Sequence, residues 1–265
     1  MMLRESAPQF YSHLKQNLDL VRTMTKATIK SRYRKTVAGF FWVILNPILT
    51  FLVQSIIFKH ILRMQVDNYF LFLLSGIIPW IFLTSTISMT VSMFVVNRPV
   101  LMAFKLDPRI FILAQTIDNF ITFIVSFIIL LILNYDIEVI SLAKILMLIL
   151  SVSITCAAGF FISTLLATIH VFLRDTQFIV QFALNLLYFV TPIFYPRELI
   201  PSAYQWAIDM NPFYILIKPF QSIFWKYDLS LYVDDTLKAL GLLVMLMIVS
   251  VFYWERKKDA IYFKI

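Results

Sequence analysis

The stretch "KSRYRKTVAGFFWVILNPILTFLVQSIIFKH", Lys30 to His60, decides the fold. It opens with the bases Lys30, Arg32, Arg34 and Lys35, and then carries no charged side chain from Thr36 to Phe58. A helix needs about 20 apolar residues to cross a bilayer, and this run supplies them. A basic collar is what such a helix carries on the side facing an anionic leaflet. Pro47 sits inside the run, where it removes a backbone donor and bends the helix.

Composition extends this reading to the whole chain. Of its 265 residues 60% are hydrophobic and 14% charged, and 26 are phenylalanine. A soluble domain is about one quarter charged and less apolar, so lipid must be part of this chain's solvent. The net charge of +8 would also suit nucleic acid. The bases lie beside apolar runs rather than on a polar module, which points to a membrane face and away from nucleic acid. The single cysteine, Cys156, lies in an apolar run and reads as a packed core residue. Roughly 35 mostly polar residues precede the first apolar run, unlike a cleavable leader, so that run is expected to remain as an anchor.

Apolar runs predict an all-α integral membrane protein of six spans: about 36–58, 68–97, 110–133, 145–173, 176–196 and 239–254. Residues 1–35 form an N-terminal segment, and 36–265 the transmembrane domain. Residues 197–237 hold Pro201, Pro212, Pro219, Asp209, Lys218 and Lys226. A charge at a helix centre costs about 2.5–3.5 kcal/mol on the insertion scale, so this region is expected as short helices that dip into or lie on one face. With the N-terminus inside, the inner side holds eight bases before the first span, three in the 97–109 loop, Arg174 and four after the last span. The outer side holds seven. The asymmetry predicts both termini in the cytoplasm.

Ahead of the first span, Phe10, Leu14, Leu18, Val21, Met24 and Thr28 recur at helical steps, with Lys15, Arg22, Lys26 and Lys30 elsewhere. They predict an amphipathic helix at the interface or a docking surface for a cytoplasmic partner. Prolines at Pro47, Pro79 and Pro192 predict three kinked spans. The four glycines form no small-xxx-small pair with one another, so helix contacts should rest on bulky side chains and on Ser and Thr.

Enzyme signatures are missing. No phosphate-binding G-x-x-x-x-G-K-[ST] loop, G-x-S-x-G elbow or H-E-x-x-H occurs, and His13, His60 and His170 have no metal-binding spacing. No catalytic residue, metal or cofactor is therefore assigned to this chain. Asp118, with Gln115 and Asn119 nearby, is an acid inside a span, and reads either as a functional group or as a polar contact fixing helix register. Lys105, Asp107 and Arg109, with Pro108, read as a charged turn. Trp42, Trp80, Tyr188, Phe189, Phe194 and Tyr195 read either as interfacial belt residues or as faces for stacking on sugar rings.

Four segments together resemble the type-2 ABC transporter permeases that export polysaccharides. "SRYRKTVAGFFWVILNPI" (Ser31–Ile48) is similar to that family's opening motif and "YFLFLLSGIIPWIFL" (Tyr69–Leu83) to its second span. "RDTQFIVQFALNLLYFVTPIFYP" (Arg174–Pro196) and "NPFYILIKPFQ" (Asn211–Gln221) are similar to its fifth span and the outer segment after it. The O-antigen and teichoic-acid branches fit better than the capsule branch. The resemblance implies a homodimer joined to two copies of a separate ATPase, which would hold ATP and magnesium. It implies an ATPase-docking surface at the N-terminal helix and the 97–109 loop, with Phe104, Lys105, Asp107 and Arg109. It further implies outer gate helices after span five, and a lipid-linked glycan in an aromatic channel that includes Tyr188, Phe189 and Tyr195. The collar Lys30, Arg32, Arg34 and Lys35 would then anchor span one or receive a lipid pyrophosphate. The charged stretch Asp228–Asp235 departs from the family pattern. Alternatives are a permease for drugs or other lipophilic compounds, and a membrane-embedded lipid-carrier transferase.

Overall fold

The computed structural model describes residues 19–27, 29–30, 41–57, 66–104, 106–133 and 141–264, with the side chains of residues 42–44, 46, 47 and 55 outside this set. The described chain is helical, in the order α1 (19–27), α2 (Phe41–Ser55), α3 (Tyr69–Thr90), α4 (Met93–Val96), α5 (Arg98–Phe104), α6 (Arg109–Leu133), α7 (Leu142–Phe172), α8 (Thr176–Val190), α9 (Ser202–Asp209), α10 (Pro212–Phe224) and α11 (Leu229–Lys264). In lipid every backbone polar group needs an internal partner, which helices provide within one segment.

Among the described residues four helices, α3, α6, α7 and α11, are long and apolar enough to cross a bilayer. The third and fourth expected spans coincide with α6 and α7 to within a few residues. The second, fifth and sixth differ. Residues 68–97 do not form one span: α3 stops at Thr90, a turn follows at 91–92, and α4 and α5 continue separately. Thr90 Oγ1 donates back to the Thr86 carbonyl (2.6 Å), and Asn97 Nδ2 donates to the Met93 carbonyl (2.9 Å). Such back-bonding loosens a helix near its end. The fifth run yields only the 15 residues of α8, about 22 Å of helix. Pro192 lies beyond its end, not inside it as a kink. The residue before a proline is pushed to extended backbone, and Thr191 is extended (φ −77°, ψ 130°). The sixth helix is far longer than 239–254. The Asp228 carboxylate accepts from the backbone N–H groups of Ser230 (2.8 Å) and Leu231 (3.3 Å) and starts α11 early. Its other end runs through the charged tail to Lys264.

α7 and α11 lie side by side and parallel. Near one end the Tyr232 hydroxyl donates to the Met147 carbonyl (2.8 Å), and near the other Lys257 Nζ sits 5.0 Å from the centre of the Phe172 ring. One end of the bundle, the loop end, therefore carries residues 91–109, the turn at 173–175 and the C-terminus. The opposite end carries 66–68 and 191–228.

The region after α8 divides in two. α9 is an exposed helix whose Tyr204 and Trp206 project outward, while the Arg197 guanidinium and Asp209 carboxylate tie its end to the preceding turn (Nε to Oδ1, 2.6 Å). α10 is buried on most of its faces. Pro212 occupies its first turn and Asn211 caps it, accepting from Phe213 N–H (2.9 Å) while donating to Thr191 Oγ1 (2.9 Å). Phe220 and Phe224 stack on Phe127, with ring centres 5.4 and 5.9 Å apart. Gln221 donates to the Pro192 carbonyl (3.2 Å). α3 can approach here because Gly76 has no side chain: a Cβ would stand 3.1 Å from Gln221 Nε2 and 3.4 Å from Ile193 Cγ2. One close glycine contact thus supplements the bulky packing expected from the sequence.

The charged stretch before the last span also finds its place. Asp228 starts α11, Asp234 pairs with Lys238 (2.6 Å), and Asp235 is buried against α10, 2.9 Å from Lys218 Nζ.

Two outcomes follow from these contacts. Gly76→Ala should displace the Gln221 amide from Pro192 and destabilise the protein by about 1–3 kcal/mol; an unchanged melting temperature in detergent would show that the site can relax. The Arg197 hydrogen bond, with its charge adding a smaller effect, holds the Asp209 carboxyl below its ordinary value of 3.8. A depressed acid stabilises the fold above its ordinary value and loses that contribution as pH falls through the lowered one. Both groups are partly exposed, so the pair contributes only about 0–1 kcal/mol. Asp209→Asn should therefore raise proteolysis around Trp206 by at most about fivefold at neutral pH, whereas the unaltered protein shows that rise only below pH 3.8.

Candidate functional site: a polar groove between α3 and α8

α3 and α8 enclose an open groove of about 410 Å³. Its nine lining residues include Trp80 and Tyr188, both expected at a substrate path, and five polar side chains that were not: Thr84, Ser85, Ser88, Gln181 and Asn185. Leu184 and Met89 complete the wall. Helical periodicity places them together. Trp80, Thr84 and Ser88 stand at successive four-residue steps on α3, as do Gln181 and Asn185 on α8, with Tyr188 one turn further on. Polar residues at i and i+4 on two otherwise apolar helices are the sequence signal that would have found them.

Tyr188 is held from three sides. The Gln54 side-chain amide of α2 hydrogen-bonds its hydroxyl, Phe194 meets its ring edge-on at 4.8 Å, and Trp80 lies tilted at 5.8 Å. Trp80 is 4% exposed and also contacts Phe213 of α10 at 5.2 Å, so it is a core residue with one edge at the groove. Phe194, 2% exposed, sits behind Tyr188. Neither of these two forms an interfacial belt. Phe189 is 70% exposed and belongs to an outward apolar stripe with Phe178, Phe182 and Leu186. The Tyr195 hydroxyl donates to the Phe189 carbonyl (2.7 Å) and closes the end of α8. Trp42 is on helix α2, but its side chain lies outside the described residues.

Behind the groove, α6 supplies a polar cluster. Gln115 Nε2 donates to Asp118 Oδ2 (3.2 Å) and Asn119 Oδ1 (3.3 Å), and Asn119 Nδ2 donates to Thr86 Oγ1 of α3 (3.1 Å). Asp118 is buried among these partners, facing protein rather than lipid. Gln115 also reaches the sulfur of Met89 in the groove wall (3.4 Å). The cluster fixes α6 against α3 directly beneath the lining.

Of the other expected residues, Phe104, Asp107 and Arg109 are at the loop end. Phe104 is exposed at the end of α5. Asp107 and Arg109 pair with each other (2.6 Å). Lys30 is exposed, whereas Arg32, Arg34, Lys35 and Lys105 lie outside the described residues. The chemistry of the groove is uncharged hydroxyl and amide donors and acceptors beside two aromatic rings. That set can bind a neutral, hydroxyl-rich molecule.

Comparison with known proteins agrees in kind. The chain is 25% identical over 246 residues to a Klebsiella pneumoniae protein named O-antigen export system permease protein RfbA, covering 88% of this chain and 91% of that one. A Myxococcus xanthus protein of the same name is 28% identical over 218 residues, covering 82% and 84%. The Escherichia coli polysialic acid transport protein KpsM is 25% identical over 187 residues, covering 69% and 72%. Residues 19–225 match the family described as ABC-2 type transporter, and the chain belongs to that family.

Proposed function

We propose that this chain is the membrane permease of an ABC exporter that carries lipid-linked polysaccharide, of O-antigen or teichoic-acid type, from the cytoplasm across the inner membrane. The observation that carries the substrate class is the α3–α8 groove, with five hydroxyl and amide side chains beside Trp80 and Tyr188. A path for drugs or other lipophilic compounds would not need that many hydrogen-bonding groups at membrane depth, where each costs free energy unless a partner is present. The names of the similar proteins, with their O-antigen and polysialic acid substrates, support the same choice.

The chain acts as a homodimer in this reading. The outward stripe Phe178, Phe182, Leu186 and Phe189 and the exposed Leu49, Leu52 and Val53 of α2 offer apolar faces for a second copy. Six spans result if α2 and α8 cross together with the four long helices. α10 is then a re-entrant gate helix at the outer end and α9 an interfacial one. Both termini are cytoplasmic, so the loop end faces the cytoplasm. The power stroke comes from two copies of a separate ATPase, which hold ATP and magnesium. They dock on α1 and on the loop carrying Phe104, Lys105, Asp107 and Arg109. The chain has no enzymatic step of its own; it converts the partner's nucleotide cycle into movement of the path. The collar Lys30, Arg32, Arg34 and Lys35 meets the phosphate of the lipid carrier at the cytoplasmic surface.

The test uses the permease purified with its ATPase and reconstituted in vesicles. Gln181→Ala with Asn185→Ala, both exposed in the groove, should lower glycan export at least fivefold with an unchanged melting temperature and intact ATPase binding. Trp80→Ala should instead cost about 3–5 kcal/mol of stability, as truncation of a buried ring does. Undiminished export by the double variant would remove the groove from the substrate path, and failure to co-purify with any ATPase would remove the exporter reading itself.

A further inference from the structure

α11, the longest helix among the described residues, is clamped at both ends. At the loop end the Tyr262 hydroxyl donates to the Leu106 carbonyl (2.7 Å). Two turns earlier, Trp254 lies under the Arg109 guanidinium, 4.7 Å from its ring centre, while Arg109 holds Asp107. Trp254 and Ile261 are buried in one apolar cluster with Phe94, Leu101 and Phe111, from α4, α5 and α6. The end of α11 thus braces the whole loop that carries Phe104.

At the opposite end the clamp is ionic. Asp235, 2% exposed, lies 2.9 Å from Lys218 Nζ and accepts from Ser222 Oγ (2.6 Å), both on α10. Between Asp235 and Tyr262 the helix has no proline and no break, so it spans about 40 Å at 1.5 Å per residue. Proline and a π-bulge, two of the usual causes of a sharp kink, do not occur in it. Its middle presents Met245, Ile248 and Phe252 outward, so one side of the rod has no protein wall among the described residues.

We infer that α11 is the rod that couples the docking loop to α10, with Tyr262 and Asp235 as the positioning residues at its two ends. The inference rests on reading the loop as the ATPase-docking surface and α10 as the outer gate helix. A rod of fixed length, fastened to both, transmits a displacement of the loop to α10 across the bilayer. A partner can shift α10 only through a difference in free energy between two positions of this rod. Releasing either clamp lets the loop move without α10.

The experiment places a fluorescent label on Lys226→Cys, exposed just beyond α10, in a Cys156→Ser background, with the permease bound to its ATPase in vesicles. ATP should change the label's emission. Asp235→Asn, Lys218→Gln and Tyr262→Phe should each reduce that change at least fivefold while ATP hydrolysis stays within twofold. Exchanging the charges, Lys218→Asp with Asp235→Lys, should restore at least half of it, which a general loss of folding would not. Asp235→Asn combined with Tyr262→Phe should be no worse than the weaker single variant, because the two clamps act in series. An undiminished response in the single variants, or no response to ATP in the parent protein, overturns the rod. Glycan export is read in parallel: a responding label without export leaves the rod standing and removes the polysaccharide reading instead.

Discussion

Burying a helix that cannot satisfy its own ends is the constraint around which this bundle is organised. α10 is 13 residues long and buried on most of its faces. Its first four N–H groups and last four carbonyls have no intrahelical partner, and burial leaves most of them to be met by protein. Asn211 and Pro212 resolve the start, one by capping and the other by lacking a donor. The side chain of Gln221 is spent on the Pro192 carbonyl, and Lys218 and Ser222 are matched by a single buried carboxylate on α11. The neighbours are thereby placed: α8 must end at Val190 so that Pro192 can present its carbonyl, α3 needs Gly76 beside Gln221, and α11 must begin early enough to bring Asp235 to Lys218.

The same logic separates the two kinds of polar residue in the core. Those that meet a fixed partner build the scaffold: Asn119 on Thr86, Tyr232 on Met147, Asn211 on Thr191. Several hydroxyls are turned back on their own helix, as Thr84 is toward the Trp80 carbonyl. Ser85, Ser88, Gln181 and Asn185 face the α3–α8 groove instead. Aromatic residues divide in the same way. Trp80 and Phe194 are structural, Tyr188 is held in place with one face at the groove, and Phe189 looks outward.

Periodicity and run length settled a good deal in advance. A lipid-embedded helical bundle, the positions of α6 and α7 and the short helices after residue 196 were legible in one chain, because the bilayer imposes a length and an apolar composition that a local window can read; the family was legible only through the resemblance of four motif segments. Helix ends were less legible. Thr90 and Pro192 end helices inside apolar runs, where hydropathy does not change, and Asp228 starts one inside a charged stretch that hydropathy assigned to a loop.

By itself the sequence determined the solvent, the rods and their basic flank, since these depend on residues adjacent along the chain. Only the tertiary structure decided which polar residues are partners and which line a groove, that the Asp228–Asp235 stretch is the root of α11, and that Asp235 faces Lys218. The groove and the Asp235–Lys218 pair join residues more than a dozen positions apart, and no local pattern of hydrophobicity carries the geometry by which two helices bring their faces together.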